Sequence, residues 1–423
     1  MYVLQNATAF NNACKATDRL IATKCEVWVS GSLSATMVGS GQNGEIISME
    51  WDNIVCSNDG FQIGTCCMDE FKMTYRPVST TMSLMNKQIK PYVGVDISGT
   101  VTYVPLGVFY VTNAETSDDG YTIDITAYDG MQKLLNTFDA TAIGVTFPIK
   151  AWLLLEAIAT YHGFTISFDK EVYPLIDSAS KYIIDSNSNN LVVQEERNVN
   201  LYEWLNIPLD GTYRDYIGWI AGLIGGYAHM GRNGELVIAR YENHSFSIGR
   251  DVQHMGGATI NYGGSVEYDS IVSGTEDTPI YPTGYTNGNP IMYSNPYITQ
   301  TEVDSLCSIM FSGGNIVVTP CEVEWRSNPC VDAGDIVSVV DKNDNGTTVY
   351  VMERVMKVTG GLSETLHCYG KTDTQQSLDT SPTTSMIANV PPYIKVLDAD
   401  GVPRELTIKT VTINGTTINY LGY

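Results

Sequence analysis

Between Asn328 and Gly370 the chain reverses so often that only short antiparallel strands fit between its turns. Gly334-Asp335 opens the run, Asn345-Gly346 interrupts it and Gly360-Gly361 turns it again. In the first strand Val337 and Val339 point one way while Ile336, Ser338 and Val340 point the other, the period of two expected of a half-buried strand. Asn345-Gly346 is expected to supply the two positive-φ positions of a tight hairpin turn. Strand residues then return over 349–358. No group at a catalytic spacing falls in this stretch, so it reads as a mechanical part.

The same alternation fills the first third of the chain. A short helix over residues 9–16 leads into a strand over 25–29. Phe71, Met73 and Tyr75 alternate with Lys72, Thr74 and Arg76, and Ile123, Ile125 and Ala127 with Thr122, Asp124 and Thr126. Ser117-Asp118-Asp119-Gly120 marks the hairpin turn between strands over 107–112 and 121–128.

In the middle the period lengthens. Pro148 opens a helix whose apolar stripe is Ala151, Leu154, Leu155, Ile158 and Tyr161, with Gly163 at its C-terminal cap. A second helix starts at Thr212, with Asp215 at capping-box spacing. It is expected to bury Ile217, Ile220, Ala221, Ile224 and Ala228, then to run into an Arg232-Asn233-Gly234 turn and a strand over 235–241. β character resumes near Ala258 and holds to Gly370. A stretch rich in Ser, Thr, Gln and Asp follows, closed by Pro391-Pro392, and reads as a linker. Asp398-Ala399-Asp400-Gly401 and Asn414-Gly415 then flank an alternating run over 406–413.

The predicted fold class is mainly β with an α+β insert. Two β-barrel-like domains (1–147 and 251–372) flank a small helical insert (148–250), followed by a linker (373–392) and a C-terminal β-hairpin element (393–423).

Charge narrows the function. The chain holds 47 Asp and Glu against 24 Lys and Arg, a formal charge of −23, which argues against binding nucleic acid through a basic patch. Two readings stand: the carboxylates keep the protein soluble, or they line a conduit through which DNA slides without sticking. Nine Cys, with no CxxC pair and no apolar core of signal-peptide length at the start, point to free thiols in a reducing cytoplasm. No run of about 18 apolar residues is present, so no membrane span is expected.

The candidate chemistry is sparse. Asp341-Lys342-Asn343-Asp344-Asn345-Gly346 matches the opening of a calcium loop, but the twelfth position is Met352, with Glu353 one residue late. A hairpin turn accounts for it. The histidines, His162, His229, His244, His254 and His367, show no metal-binding spacing, and His162 and His229 are expected to end helices. Cys66-Cys67 has no neighbouring His, no GxSxG is present, and the pairs Asp118-Asp119 and Glu195-Glu196 fall in turns or charged loops. Gly222, Gly225 and Gly226 follow no strand and so fit close helix packing better than a dinucleotide site. No catalytic, cofactor-binding or metal residue is assigned, and no cofactor is expected.

Four segments in order carry a family resemblance. AFNNACKATDRLIATKCEVWV near the start is similar to a short helix launching a barrel strand. Pro105-Leu106-Gly107-Val108-Phe109-Tyr110-Val111 with DDGYTIDITAYDGMQKL, then TYRDYIGWIAGLIGGYAHMGRNGELVIARY, follow it. Asn328-Pro329, Gly334-Asp335 and Gly360-Gly361 complete the set. Together, over residues 1–370, they resemble the bacteriophage tail-tip and baseplate hub family, which includes the N-terminal module of tail-associated lysins.

The resemblance implies a homotrimer in which two barrel domains per chain make a pseudo-sixfold ring. That ring joins a hexameric tail tube or distal tail protein above to threefold tip, spike or fibre proteins below, and gates the DNA channel. Only residues 393–423 follow the linker, so a hub without its own enzyme is expected, with that segment as a docking arm that folds against another subunit. The implied place is the virion tail tip, after synthesis and assembly in the host cytoplasm, without sequence-specific binding to nucleic acid. Two other readings stay open: a tail-associated cell-wall or polysaccharide hydrolase, and a receptor- or carbohydrate-binding tip module built on the 26 Tyr and 6 Trp.

Overall fold

The computed structural model describes residues 2–39, 45–56, 60–77, 83–118, 120–146, 149, 151–168, 211–274, 278–370, 394–397, 403–413 and 416–422. Pro148, Asp119, Glu195-Glu196, the linker and the turns at 398–401 and 414–415 lie outside the described residues. The chain divides into two units, Met1–Leu378 and Asp379–Tyr423.

The first unit begins with helix α1 (Ala7–Lys15), followed by strands β1 (Ile21–Val29), β2 (Ser32–Gly39), β3 (Ile46–Ile54), β4 (Glu70–Tyr75), β5 (Gln88–Ile97), β6 (Thr100–Pro105), β7 (Phe109–Thr116) and β8 (Ile123–Tyr128). Their order is β2-β1-β5-β7-β8-β4-β3, with β6 on the far half of β5. The Glu45 N–H donates to the Val38 carbonyl at 2.8 Å, drawing the start of β3 to the end of β2 and closing the strands into a barrel. Alternate residues fill the interior: Cys25, Val27, Met37, Met49, Trp51, Phe71, Met73, Ile89, Val93, Phe109, Val111, Ile125 and Ala127. This is the period-two pattern expected for β4 and β8.

The middle of the unit holds α2 (Ala151–His162), β9 (Ile166–Phe168), α3 (Tyr213–Gly222), β10 (Tyr227–Met230) and β11 (Leu236–Ala239). Helix α2 buries Ala151, Leu154, Leu155, Ile158 and Ala159, whereas Tyr161 is 54% exposed and lies off the stripe. Past Gly163, the Phe164 N–H reaches back to the Ala159 carbonyl at 2.8 Å and ends the helix. Helix α3 starts on the expected capping box, Thr212 with Asp215. It ends sooner than expected, because Gly225 adopts φ +69°. Ile224 therefore packs beyond the helix, and Ala228 and His229 belong to β10. Gly222 has no room for a side chain: a Cβ there would meet the Tyr293 hydroxyl at 1.7 Å.

The rest of the unit is β12 (Glu242–Ile248), β13 (Gln253–Ile260), β14 (Val266–Tyr268), β15 (Ser270–Gly274), β16 (Pro279–Ile280), β17 (Pro290–Met292), α4 (Gln300–Met310), β18 (Ile316–Val318), β19 (Cys321–Trp325), β20 (Asp335–Val340), β21 (Gly346–Tyr350), β22 (Glu353–Val358) and β23 (Leu362–Cys368). Helix α4 interrupts the continuous β character expected here. It sits on a Thr299–Glu302 capping box that the sequence displays and the strand reading passed over.

The expected strand over 349–358 is two strands. β21 pairs with β20, the chain breaks at the fully buried Val351 and Met352, and β22 joins a different sheet. The hairpin at 341–346 also differs: the positive φ falls on Asp344 (65°), and Gly346 is already the first residue of β21. The Asp344 N–H donates to the Asp341 carbonyl at 3.1 Å, a type I turn followed by a left-handed residue, which leaves a three-residue loop.

β13, β19, β23 and β22 extend the barrel sheet through β3, where Trp51 faces Met356 and Asp52 faces Val355. β12, β20 and β21 form a second layer whose Val337, Val339 and Val349 share one core with Val323, Trp325 and Leu366, and with the helices of the middle region.

Where the halves meet, residues 326–335 are pinned from several directions. Arg354, fully buried, pairs with Glu364 and donates to the Asn328 carbonyl at 3.4 Å. Ser327 donates to the same Glu364 oxygen at 2.6 Å. Arg232, from the turn after β10, donates to the carbonyls of Pro105, Pro329 and Val331 at 2.6, 2.8 and 3.1 Å, and pairs with Asp332. The Arg232 and Arg354 guanidiniums lie 5.2 and 5.1 Å from the Trp51 ring centre. The Asn53 side-chain oxygen accepts from the Ala333 N–H at 2.7 Å.

The second unit, described by itself, is a three-stranded antiparallel sheet of β24 (Ile394–Leu397), β25 (Pro403–Ile413) and β26 (Thr416–Gly422) in that order.

Arg354 Nε, Arg354 Nη1 and Glu364 Oε1 have no hydrogen-bond partner among the described residues. The burial cost of this pair is therefore only partly offset. Glu364→Ala should destabilise the first unit by about 3–5 kcal/mol in urea unfolding, by stranding a buried cation. The double change Arg354→Met with Glu364→Leu should recover most of that loss. A single change without effect would remove the pair from its central place.

Candidate functional site

Strand register places the polar residues of the long sheet on one face. From β8 to β19, one rung reads Tyr128, Glu70, Asp52, Val355, Thr365 and Glu324. A second reads Thr126, Lys72, Glu50, Lys357 and Ser363. A third holds Glu353, His367 and Glu322, and Asp124 stands beside Thr74 at one end. The intervening residues of every strand turn into the cores. Asp124, Glu70, Glu50, Asp52, Glu353, Glu322 and Glu324 thus share a continuous face on which Lys72 and Lys357 are the paired cations, with Arg76 just past the end of β4. The face crosses the junction between the two β halves.

Its electrostatics grade from edge to centre. Lys72 pairs with Glu70, and Lys357 with Glu50 at 3.0 Å, with both lysines about half exposed. Tyr128 donates to Glu70 at 2.9 Å. Toward the junction the carboxylates lose water. Burial, and then the charges of Glu353, Asp69 and Glu70, push the Asp52 carboxyl up to about 8. Asp52 hydrogen-bonds Glu353, which also accepts from the Tyr369 hydroxyl. Behind them, Asp69 accepts from Trp51 Nε1, Asn53 Nδ2 and the Ile54 N–H at 3.2, 2.9 and 3.1 Å, yet full burial and Asp129 still raise its pKa. Burial likewise pushes Asp129 up to about 7.

The other candidate groups do not assemble into a reactive site. Burial pushes the Cys66 and Cys67 thiols up to about 12, the opposite of an activated nucleophile. Asp341 spends its carboxylate on its own loop, accepting from the N–H groups of Asn343 and Asn345 and from Tyr262, and these bonds lower it to about 2. That is turn chemistry. His162 closes α2 with its ring 4.7 Å from that of Tyr213, and burial lowers its pKa. His229, expected at a helix end, is instead in β10, and His367 stacks on Tyr369 in β23's wake. Among the described residues, no group of three or more His, Cys, Asp or Glu is placed to hold a metal, and no helix is long and apolar enough to cross a membrane. The sequence reading left the acidic face unplaced, because it depends on pairings such as Asp52 with Val355 that link distant parts of the chain.

No protein-family model and no curated protein matches the chain. Among solved structures it is similar to the 43 kDa tail protein of prophage MuSo2 from Shewanella oneidensis (12% identity, 83% of this chain and 97% of that one, TM-score 0.46). It is also similar to the tail protein from Neisseria meningitidis MC58 (10% identity, 82% and 95%, TM-score 0.46). A third is prophage tail protein gp18 from Listeria monocytogenes EGD-e (12% identity, 84% and 96%, TM-score 0.43). TM-scores below 0.5 do not by themselves establish a shared fold, so the functional reading rests on this chain's own geometry.

Replacing Asp124, Glu322 and Glu324, all exposed, by Lys reverses the charge at both ends of the face. The triple variant should retain DNA on a filter at about 50 mM salt and release it as salt rises, whereas the natural chain should retain none. Retention by the natural chain would contradict a repelling face.

Proposed function

We propose that this chain is the structural, non-enzymatic hub of a bacteriophage tail tip or baseplate. Three copies form a pseudo-sixfold ring that joins the hexameric tail tube to threefold tip, spike or fibre proteins and gates the DNA channel. The observation that carries this reading is the single sheet shared by two β halves, packed on one face and acid-rich on the other. Two halves per chain give six from three chains. An acidic lining lets a polyanion pass without adhering, because fixed like charges leave no phosphate contact to form.

In this reading residues 1–147 and 251–372 are the ring domains, 148–250 the insert that braces them, and 393–423 an arm that docks on a neighbouring subunit or tip protein. A small sheet of three strands offers free edges at which it can add to a neighbour's sheet. The protein belongs to the virion tail tip, after synthesis and assembly in the host cytoplasm.

Light scattering with class-averaged electron microscopy of the purified chain tests the proposal. A mass three times the 46.4 kDa chain and a ring with an open axial channel are expected. A compact monomer at assembly concentrations, or clearing of host cell walls by the purified protein, would overturn it.

A further inference from the structure

Among the described residues, the ladder between β3 and β22 is the only strand pairing that joins residues 21–128 to residues 242–368. The packed side of this seam holds Trp51, Asn53, Arg354 and Met356. Its open side holds Asp52 and Glu353, one from each strand. Two carboxyl groups in hydrogen-bond contact must share a proton, since two carboxylates offer only acceptors. Burial raises the Asp52 carboxyl, which places the shared proton on Asp52, with Glu353, to which the Tyr369 hydroxyl also donates, as its acceptor. Asp52 Oδ1 is buried without a partner, an arrangement a neutral acid tolerates far better than an anion.

Among the described residues, no cation is paired with Asp52. From β4, Glu70 faces Asp52 and is already engaged by Lys72 and Tyr128, and Asp69, just before β4, lies behind the seam. On the neighbouring rung Lys357 is matched to Glu50. From β23 and β19 come His367, 4.0 Å from Glu322, and Tyr369. Arg214 acts on Cys67 and Asp129 behind the seam, and Arg354 is held by Glu364 on the other face.

We propose that the Asp52–Glu353 pair is a proton-operated latch on the seam. With the shared proton present, it bridges β3 to β22. When the proton leaves to solvent, two facing carboxylates repel across the same strands, with Glu70 adding to the repulsion, and the ladder loosens. The inference concerns the seam within one chain and holds whether or not the chain forms a ring.

An unfolded Asp ionises near 4. A group held protonated to about 8 in the closed seam makes the closed form bind the extra proton between those values. Seam stability therefore falls as pH rises through that window and levels off above it. Hydrogen exchange of the amides in 46–54 and 353–358, corrected for intrinsic rate, reads the opening equilibrium. Relative to Asp52→Asn, the natural chain should open more readily by about tenfold per pH unit between pH 5 and 7.

Asp52→Asn is the neutral isostere of the protonated acid and should show no such rise. His367→Gln should keep it. Equal slopes in the natural chain and Asp52→Asn would overturn the latch. So would loss of the slope in His367→Gln, or an Asp52→Asn chain unfolded at pH 6, since the proposal requires a neutral group to fit there.

Discussion

The clasp around Arg354 is the interaction on which the first unit depends. Its guanidinium is cut off from solvent, bound to Glu364, and set against the same indole that Arg232 covers from the middle region. Each arginine also holds carbonyls of residues 328–331, so one short segment fixes the barrel, the insert hairpin and the second β half. Arg19 and Arg326 extend the clasp to α1: Arg19 donates to the Cys14, Ser327 and Leu362 carbonyls, and Arg326 caps the carbonyls of Lys15 and Ala16. A buried ion pair contributes little net stability against an apolar substitute. Its value here is geometric: Arg354 Nη2 reaches both Glu364 and the Asn328 carbonyl, and Arg232 holds the Pro105, Pro329 and Val331 carbonyls, setting distances that apolar packing leaves loose.

That geometry determines what the outer face can be. With β3 and β22 locked in register, the polar residues of six strands must line up, and their carboxylates accumulate faster than their lysines. At the edges water screens the charge, and Lys72 on β4 and Lys357 on the seam each pair with one carboxylate. One rung further along the seam, partial burial beside Glu353 and the nearby carboxylates raise the Asp52 carboxyl. The repelling face and the proton at its centre thus have a common origin in the alignment that the clasp enforces on the opposite side of the sheet.

Much of the fold was legible in the sequence. The alternation of β4 and β8, the Thr212–Asp215 cap, and the inward Val337 and Val339 came out where period and capping chemistry placed them. Helix α4 was missed although Thr299 and Glu302 stand at capping-box spacing, because short strands flank it and its apolar stripe is narrow. The break at Val351-Met352 was invisible, since a run buried on both sides carries no period. Tyr161 fits the α2 stripe by spacing, yet it falls at the exposed end of the helix. The acidic face could not be read at all: Glu50, Glu322 and Glu353 look like ordinary outward residues until the ladder between β3 and β22 sets them side by side.

The central claim is that this face looks onto a channel. A cryo-electron-microscopy reconstruction of the assembled oligomer, at a resolution that traces β3 and β22, tests it most directly. The account predicts that Glu50, Asp52, Glu322 and Glu324 point toward an axial opening lined by the continuous sheet. An assembly in which that face is covered by a neighbouring subunit, or turned to the outer solvent with no axial opening, would contradict it.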